Sequence, residues 1–117
     1  MKVNLLFVCG RNKKRSKTAE KVYSNTPEIG VRSAGVSSKS PHAISEKDLL
    51  WADVIFVMEA KYREQILHKF KYMEKLPEII DLEIPDLYEF MDPKLVSLIK
   101  GGVREWLQDN ETLAIRH

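Results

Sequence analysis

The stretch that decides the fold runs from Val3 to Glu20 and reads VNLLFVCGRNKKRSKTAE. Its first part, Val3 to Cys9, is almost entirely apolar, as in a parallel strand that is covered on both faces. Residues 10–15 are polar and basic, and from Ser16 onward apolar residues recur at helical spacing. The stretch therefore predicts a strand, a tight basic loop and a helix.

The rest of the chain repeats this alternation. Further strands are predicted at residues 30–33, 53–58 and around 79–80, and helices are predicted between and after them. Strands that alternate with helices indicate an α/β fold, here three-layer α/β/α with a four-stranded parallel sheet. Ligands of such sheets bind at the carboxyl ends of the strands. We therefore expect the residues after each strand to meet at one edge, namely Cys9, Ser33 to Gly35, Met58-Glu59 and Ile84 to Tyr88.

The sequence predicts where two of the helices begin. Ser45 with Asp48 resembles a capping pair, and Asp92-Pro93 places an N-cap residue before a proline at the first helical position. The apolar face of the last helix contains Leu95, Leu98, Ile99, Val103, Trp106 and Leu107. Gly101-Gly102 interrupts that face and predicts a kink or an early end of the helix.

Composition limits the function classes. The 117 residues suffice for a single domain, 1–117, and the 44% hydrophobic and 31% charged residues are typical of a globular protein. No apolar run is long enough to cross a bilayer and no signal-peptide pattern is present, so we expect a cytoplasmic protein without a membrane partner. A lone cysteine allows no internal disulfide, and His42, His68 and His117 lack metal-ligand spacing. We expect neither a metal nor another cofactor.

The basic loop has the chemistry of an anion site. Arg15 lies six positions after Cys9, and the five residues between them are the right number for a loop whose backbone N–H groups converge on a tetrahedral anion at a helix N-terminus. Arg15 can offer a planar fork to two phosphate oxygens, and the same positive environment favours the thiolate form of Cys9. Ser16 can donate to the sulfur, and Asn12 can brace the loop in a left-handed conformation. The predicted phosphate-binding residues are Gly10, Arg11, Asn12, Lys13, Lys14, Arg15 and Ser16.

Phe7 to Glu20 resembles the signature of the low-molecular-weight protein tyrosine phosphatases, Val-Cys-x5-Arg-Ser followed by Ala-Glu. The resemblance continues through Ser33-Ala34-Gly35 and through residues 52–59, so it covers most of the chain. It implies a phosphatase-I-like fold and hydrolysis of phosphate monoesters through a phosphocysteine on Cys9, with Arg15 clamping the transition state. The implied substrates are phosphorylated proteins or small aryl phosphates, and phosphate or sulfate is expected to occupy the loop.

The general acid implied by the resemblance is an aspartate late in the chain. The best match is Asp86-Leu87-Tyr88, which makes Asp86 the acid and base and Tyr88 an aromatic wall beside the substrate. Asp92 is the rival acid, although Asp92-Pro93 has a competing explanation as a helix cap. Tyr88 could equally pack in the core.

The chain departs from the family in its loop. Lys14 stands where many relatives have a second cysteine, and Lys17 replaces the proline that usually follows Arg-Ser. Arg11, Lys13, Lys14, Arg15 and Lys17 form a cationic rim, which leads to the hypothesis of substrates with extra phosphates or neighbouring acidic residues. Two alternatives stay open. One is a non-enzymatic module that binds phosphate or nucleic acid through residues 11–17, and the other is an arsenate reductase, which the absence of resolving cysteines disfavours.

Overall fold

The computed structural model describes residues 2–110 and contains four strands that alternate with four helices. The elements are β1 (Val3–Cys9), α1 (Arg15–Tyr23), β2 (Ile29–Gly35), α2 (Glu46–Trp51), β3 (Val54–Val57), α3 (Ala60–Lys69), β4 (Glu78–Asp81) and α4 (Pro93–Asp109).

The four strands form one parallel sheet in the order β2-β1-β3-β4. β1 lies in the middle, and its residues Leu5 to Val8 have no exposed surface. This arrangement confirms the predicted α/β fold with a four-stranded parallel sheet. Because all strands point the same way, the segments that follow β1, β2, β3 and β4 meet at one edge of the sheet.

Helices cover both faces of the sheet. Phe7 and Phe56 are paired in register and stack with their ring centroids 5.3 Å apart. Tyr23 of α1 stacks on Phe7, and Trp106 of α4 meets Phe56 edge-on, so α1 and α4 share this face. α2 and α3 pack on the opposite face, where Leu49 and Ile66 are buried.

Both predicted caps are confirmed. The Ser45 hydroxyl accepts from the Asp48 amide while the Asp48 carboxylate accepts from the Ser45 amide, which is a complete capping box. Asp92 accepts from the Lys94 amide at 2.8 Å and Pro93 opens α4. These local hydrogen bonds fix where the two helices begin.

The predicted break at Gly101-Gly102 is wrong, because α4 continues without interruption to Asp109. Gly102 lies against Leu82, and a Cβ at this position would come within 2.5 Å of that side chain. The second glycine therefore lets the helix lie close to Leu82, the residue that follows β4. Leu98, predicted on the buried face of the last helix, is instead 41% exposed.

Across the described part of the chain, no helix has the length and apolar character needed to cross a membrane.

Candidate active site

The basic loop connects the central strand to α1. Cys9 is the last residue of β1, and Arg15 is the first residue of α1. The carbonyl groups of Cys9 and Gly10 accept from the amides of Val36 and Ser37, which anchors the outer side of the loop to the segment after β2. Among the described residues, the N–H groups of residues 11–14 make none of the backbone hydrogen bonds that lie outside helices and strands. They are free to bind an anion.

The thiol of Cys9 ends a short chain of buried polar groups. Its Sγ lies 2.9 Å from the Ser16 hydroxyl, which in turn lies 2.7 Å from Asn12 Oδ1. All three side chains are at most 4% exposed. Asn12 has φ 55°, a left-handed conformation that asparagine tolerates better than most residues. The loop thus turns at Asn12 and returns its side chain to the helix start.

The Ser16 hydroxyl has one proton and two neighbours. If that proton goes to Asn12 Oδ1, a thiolate at Cys9 has no donor from Ser16, and Asn12 Nδ2 stays without a partner among the described residues. Rotating the Asn12 amide by half a turn keeps the heavy-atom positions and gives Nδ2 the serine oxygen as acceptor. The serine proton then points to sulfur. In this orientation the amide oxygen takes the place of Nδ2 as the atom without a described partner, and the serine hydroxyl stabilises a thiolate.

The guanidinium of Arg15 is fixed by three hydrogen bonds. Nη1 donates to the Glu59 carboxylate at 2.6 Å and to the Ile84 carbonyl at 2.7 Å, and Nη2 donates to the Tyr62 hydroxyl at 2.9 Å. A guanidinium has five N–H donors. The two that remain are on Nε and Nη2, the edge that forms a planar fork for a phosphate.

Burial and charge act together on this cluster. Burial opposes the charge of Arg15, but the hydrogen bonds to Glu59 and Tyr62 outweigh it and raise the pKa of Arg15 above its usual value. The hydrogen bond from Arg15 lowers the pKa of Glu59. Burial raises the pKa of Tyr62, although the neighbouring guanidinium acts in the opposite direction. At neutral pH the cluster therefore holds a cation, a carboxylate and a neutral phenol.

The loop opens into a cavity of about 170 Å³. The residues that line it are Cys9, Gly10, Arg11, Lys13, Lys14, Arg15, Tyr62 and Asp86. Asp86 is 67% exposed, and its Oδ1 lies 3.8 Å from Arg15 Nε. The cavity therefore has sulfur at its base, the free edge of a guanidinium on one wall and a carboxyl at its mouth.

The other two residues predicted near the substrate lie elsewhere. Asp92 caps α4 through the Lys94 amide. Tyr88 is half-buried and packs against the hydrophobic core, and it is not among the residues that line the cavity. Its neighbour Leu87 is 78% exposed.

The cationic rim is smaller than the sequence suggests. Lys14 makes an ion pair with Glu89 at 2.9 Å, and Lys17 makes one with Glu20 at 3.1 Å. Arg15 is buried against Glu59. Of the five cations, Arg11 and Lys13 are those that line the cavity and form no ion pair within residues 2–110.

The segment that carries Asp86 is attached to the loop and to α1. Glu89 pairs with Lys14, the Met91 amide donates to the buried hydroxyl of Thr18 at 2.9 Å, and the Ile84 carbonyl accepts from Arg15. These three contacts join residues 84–91, which we call the acid segment, to the residues on either side of the cavity.

Two residues of this site had no assigned role in the sequence analysis. Glu59 follows β3, and its position at the binding edge was the one available signal. Tyr62 shows the helical spacing of a core residue, so its pattern predicted packing alone. Their partner Arg15 is 44 and 47 positions away in the chain, and only the fold brings the three together.

Within the described residues, no group of three or more His, Cys, Asp or Glu side chains could hold a metal ion. His117 lies outside those residues.

No family model and no curated protein matches this sequence. Solved structures do match it. The low-molecular-weight protein tyrosine phosphatase SP-PTP from Streptococcus pyogenes has a TM-score of 0.74 at 20% identity and covers 100% of both chains. The YwlE arginine phosphatase from Geobacillus stearothermophilus has a TM-score of 0.68 at 19% identity, covering 94% of this chain and 96% of its own.

A third match is the tyrosine phosphatase Wzb from Escherichia coli K30, solved in complex with phosphate. Its TM-score is 0.63 at 20% identity, and the match covers 93% of this chain and 99% of Wzb. Identities near 20% establish the architecture and leave activity to be argued from the site. The chain therefore has the fold of the low-molecular-weight protein tyrosine phosphatases, over nearly its whole length.

Proposed function

We propose that this chain hydrolyses phosphate monoesters, with phosphotyrosine in proteins as its substrate class. The observation that carries the proposal is the shared cavity of Cys9, Arg15 and Asp86, in which sulfur, the free guanidinium edge and a carboxyl face the same small volume. Binding an anion would need the amides and Arg15, but it would not need a thiol bonded to Ser16 or a carboxyl at the mouth.

In the first half-reaction the Cys9 thiolate attacks phosphorus in line with the ester oxygen. The S–P bond forms as the P–O bond breaks, and protonated Asp86 gives its proton to the leaving oxygen. Arg15 and the amides of residues 11–14 take up the charge on the equatorial oxygens. The products are an alcohol or phenol and a phosphocysteine.

In the second half-reaction water attacks the phosphocysteine. Asp86, now a carboxylate, accepts a proton from that water, and the S–P bond breaks to release inorganic phosphate and the thiolate. Ser16 stabilises the departing sulfur by donating a hydrogen bond to it. The Arg15 fork keeps the same two donors through both steps, because Glu59, Ile84 and Tyr62 hold its other three.

The direct test is hydrolysis of p-nitrophenyl phosphate by the wild type and by Cys9→Ala, with a rapid acid quench and intact mass measurement. The proposal requires turnover and a phosphoryl adduct on Cys9 in the wild type, and neither in the variant. An inactive wild type that binds phosphate or RNA tightly would instead favour the binding module suggested by residues 11–17.

The two cations that line the cavity without an ion pair favour phosphotyrosine over phosphoarginine, the two classes named by the neighbouring structures. Phosphoarginine carries a guanidinium beside its phosphoryl group, and Arg11 and Lys13 would repel that charge. We expect a phosphotyrosine peptide to be turned over faster than the same peptide with phosphoarginine. The double variant Arg11→Gln with Lys13→Gln should turn the two peptides over at more similar rates. A wild type that prefers the phosphoarginine peptide would refute phosphotyrosine as the substrate class.

A further inference from the structure

The catalytic cavity adjoins a second, larger depression. A groove of about 750 Å³ lies between α3 and the segment after β2, and Gly10 and Tyr62 line both the groove and the cavity. The contact is close, since a Cβ on Gly10 would lie 3.2 Å from the Tyr62 hydroxyl. The phosphate loop and the groove therefore share one wall.

The cavity holds a phosphoryl group and little more, so the rest of a protein substrate must lie outside it. Five residues of α3 form one side of the groove at helical spacing, namely Lys61, Glu64, Gln65, His68 and Lys69. Val36 and Ser37 form the opposite side. From the first to the last of the five helical residues the helix rises about 12 Å, a length that spans three to four residues of extended chain.

The groove carries more positive than negative charge. Lys61 lies beside the cavity and Lys69 two turns further along, with His68 next to it. The acid on this stripe, Glu64, is 72% exposed and lies 3.9 Å from Arg63. Lys69 makes no ion pair within residues 2–110, and its ammonium group stays close to the Phe70 ring.

We propose that this groove binds the polypeptide that flanks the phosphorylated residue and selects an acidic side chain three or four positions away from it. The inference rests on the proposed function. It adds a second recognition surface, on α3, to a site whose chemistry lies in the loop.

The test compares phosphotyrosine peptides that carry aspartate or lysine three and four positions before or after the phosphotyrosine. We expect the wild type to prefer aspartate on one side. Lys69→Glu should lower kcat/KM for that peptide about three- to tenfold and leave p-nitrophenyl phosphate hydrolysis unchanged. Lys100→Glu on α4 makes the same charge change away from the groove and should have no effect on either substrate.

A steric variant makes the test independent of charge. Gln65→Trp fills the groove from an exposed position on α3 and should lower kcat/KM for the peptides about tenfold, as expected for the loss of a well-packed contact. Arg63→Trp is the matched control, on the same helix but outside the groove.

The outcomes separate the two proposals. A wild type that does not hydrolyse p-nitrophenyl phosphate would refute the proposed function. Normal activity on that substrate, combined with peptide rates that ignore both Lys69→Glu and Gln65→Trp, would refute the groove. A peptide preference that responds to Leu87→Ala instead would place the substrate on the opposite side of the cavity.

Discussion

The two walls of the cavity are built differently. On one side Cys9, Arg15 and Ser16 are at most 4% exposed and bonded to other buried groups. On the other side Asp86 is 67% exposed, on the acid segment, which is held by an exposed ion pair, the amide contact to Thr18 and the hydrogen bond from Arg15 to the Ile84 carbonyl. Substitutions in the buried wall should therefore change both stability and activity, whereas substitutions in the exposed wall should change activity alone.

The largest effect is expected for Arg15→Ala. The substitution removes the phosphate clamp, and the loss of transition-state stabilisation should lower kcat/KM by about 10³-fold. It also leaves Glu59, the Tyr62 hydroxyl and the Ile84 carbonyl without their donor, so the free energy of unfolding should fall by about 3 kcal/mol. Denaturant unfolding and p-nitrophenyl phosphate kinetics would measure the two losses. An Arg15→Ala variant that is inactive but as stable as the wild type would contradict the expectation that substitutions in the buried wall change both stability and activity.

Asp86→Asn is expected to affect activity only. An amide cannot protonate the leaving oxygen, so kcat should fall about 10²-fold. The unfolding midpoint should stay within experimental error of the wild type because the side chain is mostly in water. Asp92→Asn is the matched control, and asparagine is as good an N-cap as aspartate. If Asp92→Asn lowered kcat as much as Asp86→Asn, the acid would have been assigned wrongly.

Glu59 should make the stability of the folded protein depend on pH. Its pKa is lowered in the folded protein by the hydrogen bond from Arg15, so its carboxylate stabilises the fold at pH values above the pKa of unfolded glutamate. That contribution is lost as the pH falls through the lower, folded-state pKa. We expect the Tm difference between wild type and Glu59→Gln to be constant from pH 7 to about pH 5 and to shrink at more acidic pH. A Tm difference that grew as the pH fell would contradict a lowered pKa of Glu59 in the folded protein.

The smallest effect is expected for the ion pair between Lys14 and Glu89. Both side chains are largely exposed, so Lys14→Met and Glu89→Gln should each lower kcat less than about threefold, and the double variant no further. The loss should disappear at high salt, where the pair is screened. Lys13→Met removes the same charge outside this pair, so its effect on kcat should simply add to that of Glu89→Gln. Additive losses would mean that the pair does not hold the acid segment.

The fold could be predicted because its signals are local. The apolar run of β1, the Ser45 and Asp48 capping pair and the Asp92-Pro93 start each depend on residues within one turn or one strand. The error at Gly101-Gly102 has the opposite origin. Intrinsic propensity disfavours the pair, but the helix continues through it, and Gly102 lies against Leu82, which is far away in sequence.

The site was predictable only in part, for the same reason. Cys9, Ser16 and Arg15 lie in one loop, so their spacing carried the information. The positions of Glu59 and Tyr62 around Arg15 depend on how β3 and α3 pack on the loop. The rim shows the converse case, since five cations that are neighbours in sequence point in different directions once α1 begins at Arg15.

The position of β1 between β2 and β3 has a consequence for how this protein would lose its activity. The strand that ends in Cys9 is hydrogen-bonded on both sides and buried along its last five residues. Amide protons there should exchange with solvent only when the whole domain unfolds, because no local opening frees a central strand. Exposure of the Cys9 thiol and global melting should then coincide, and Cys9 should stay in place through any partial unfolding that spares the sheet.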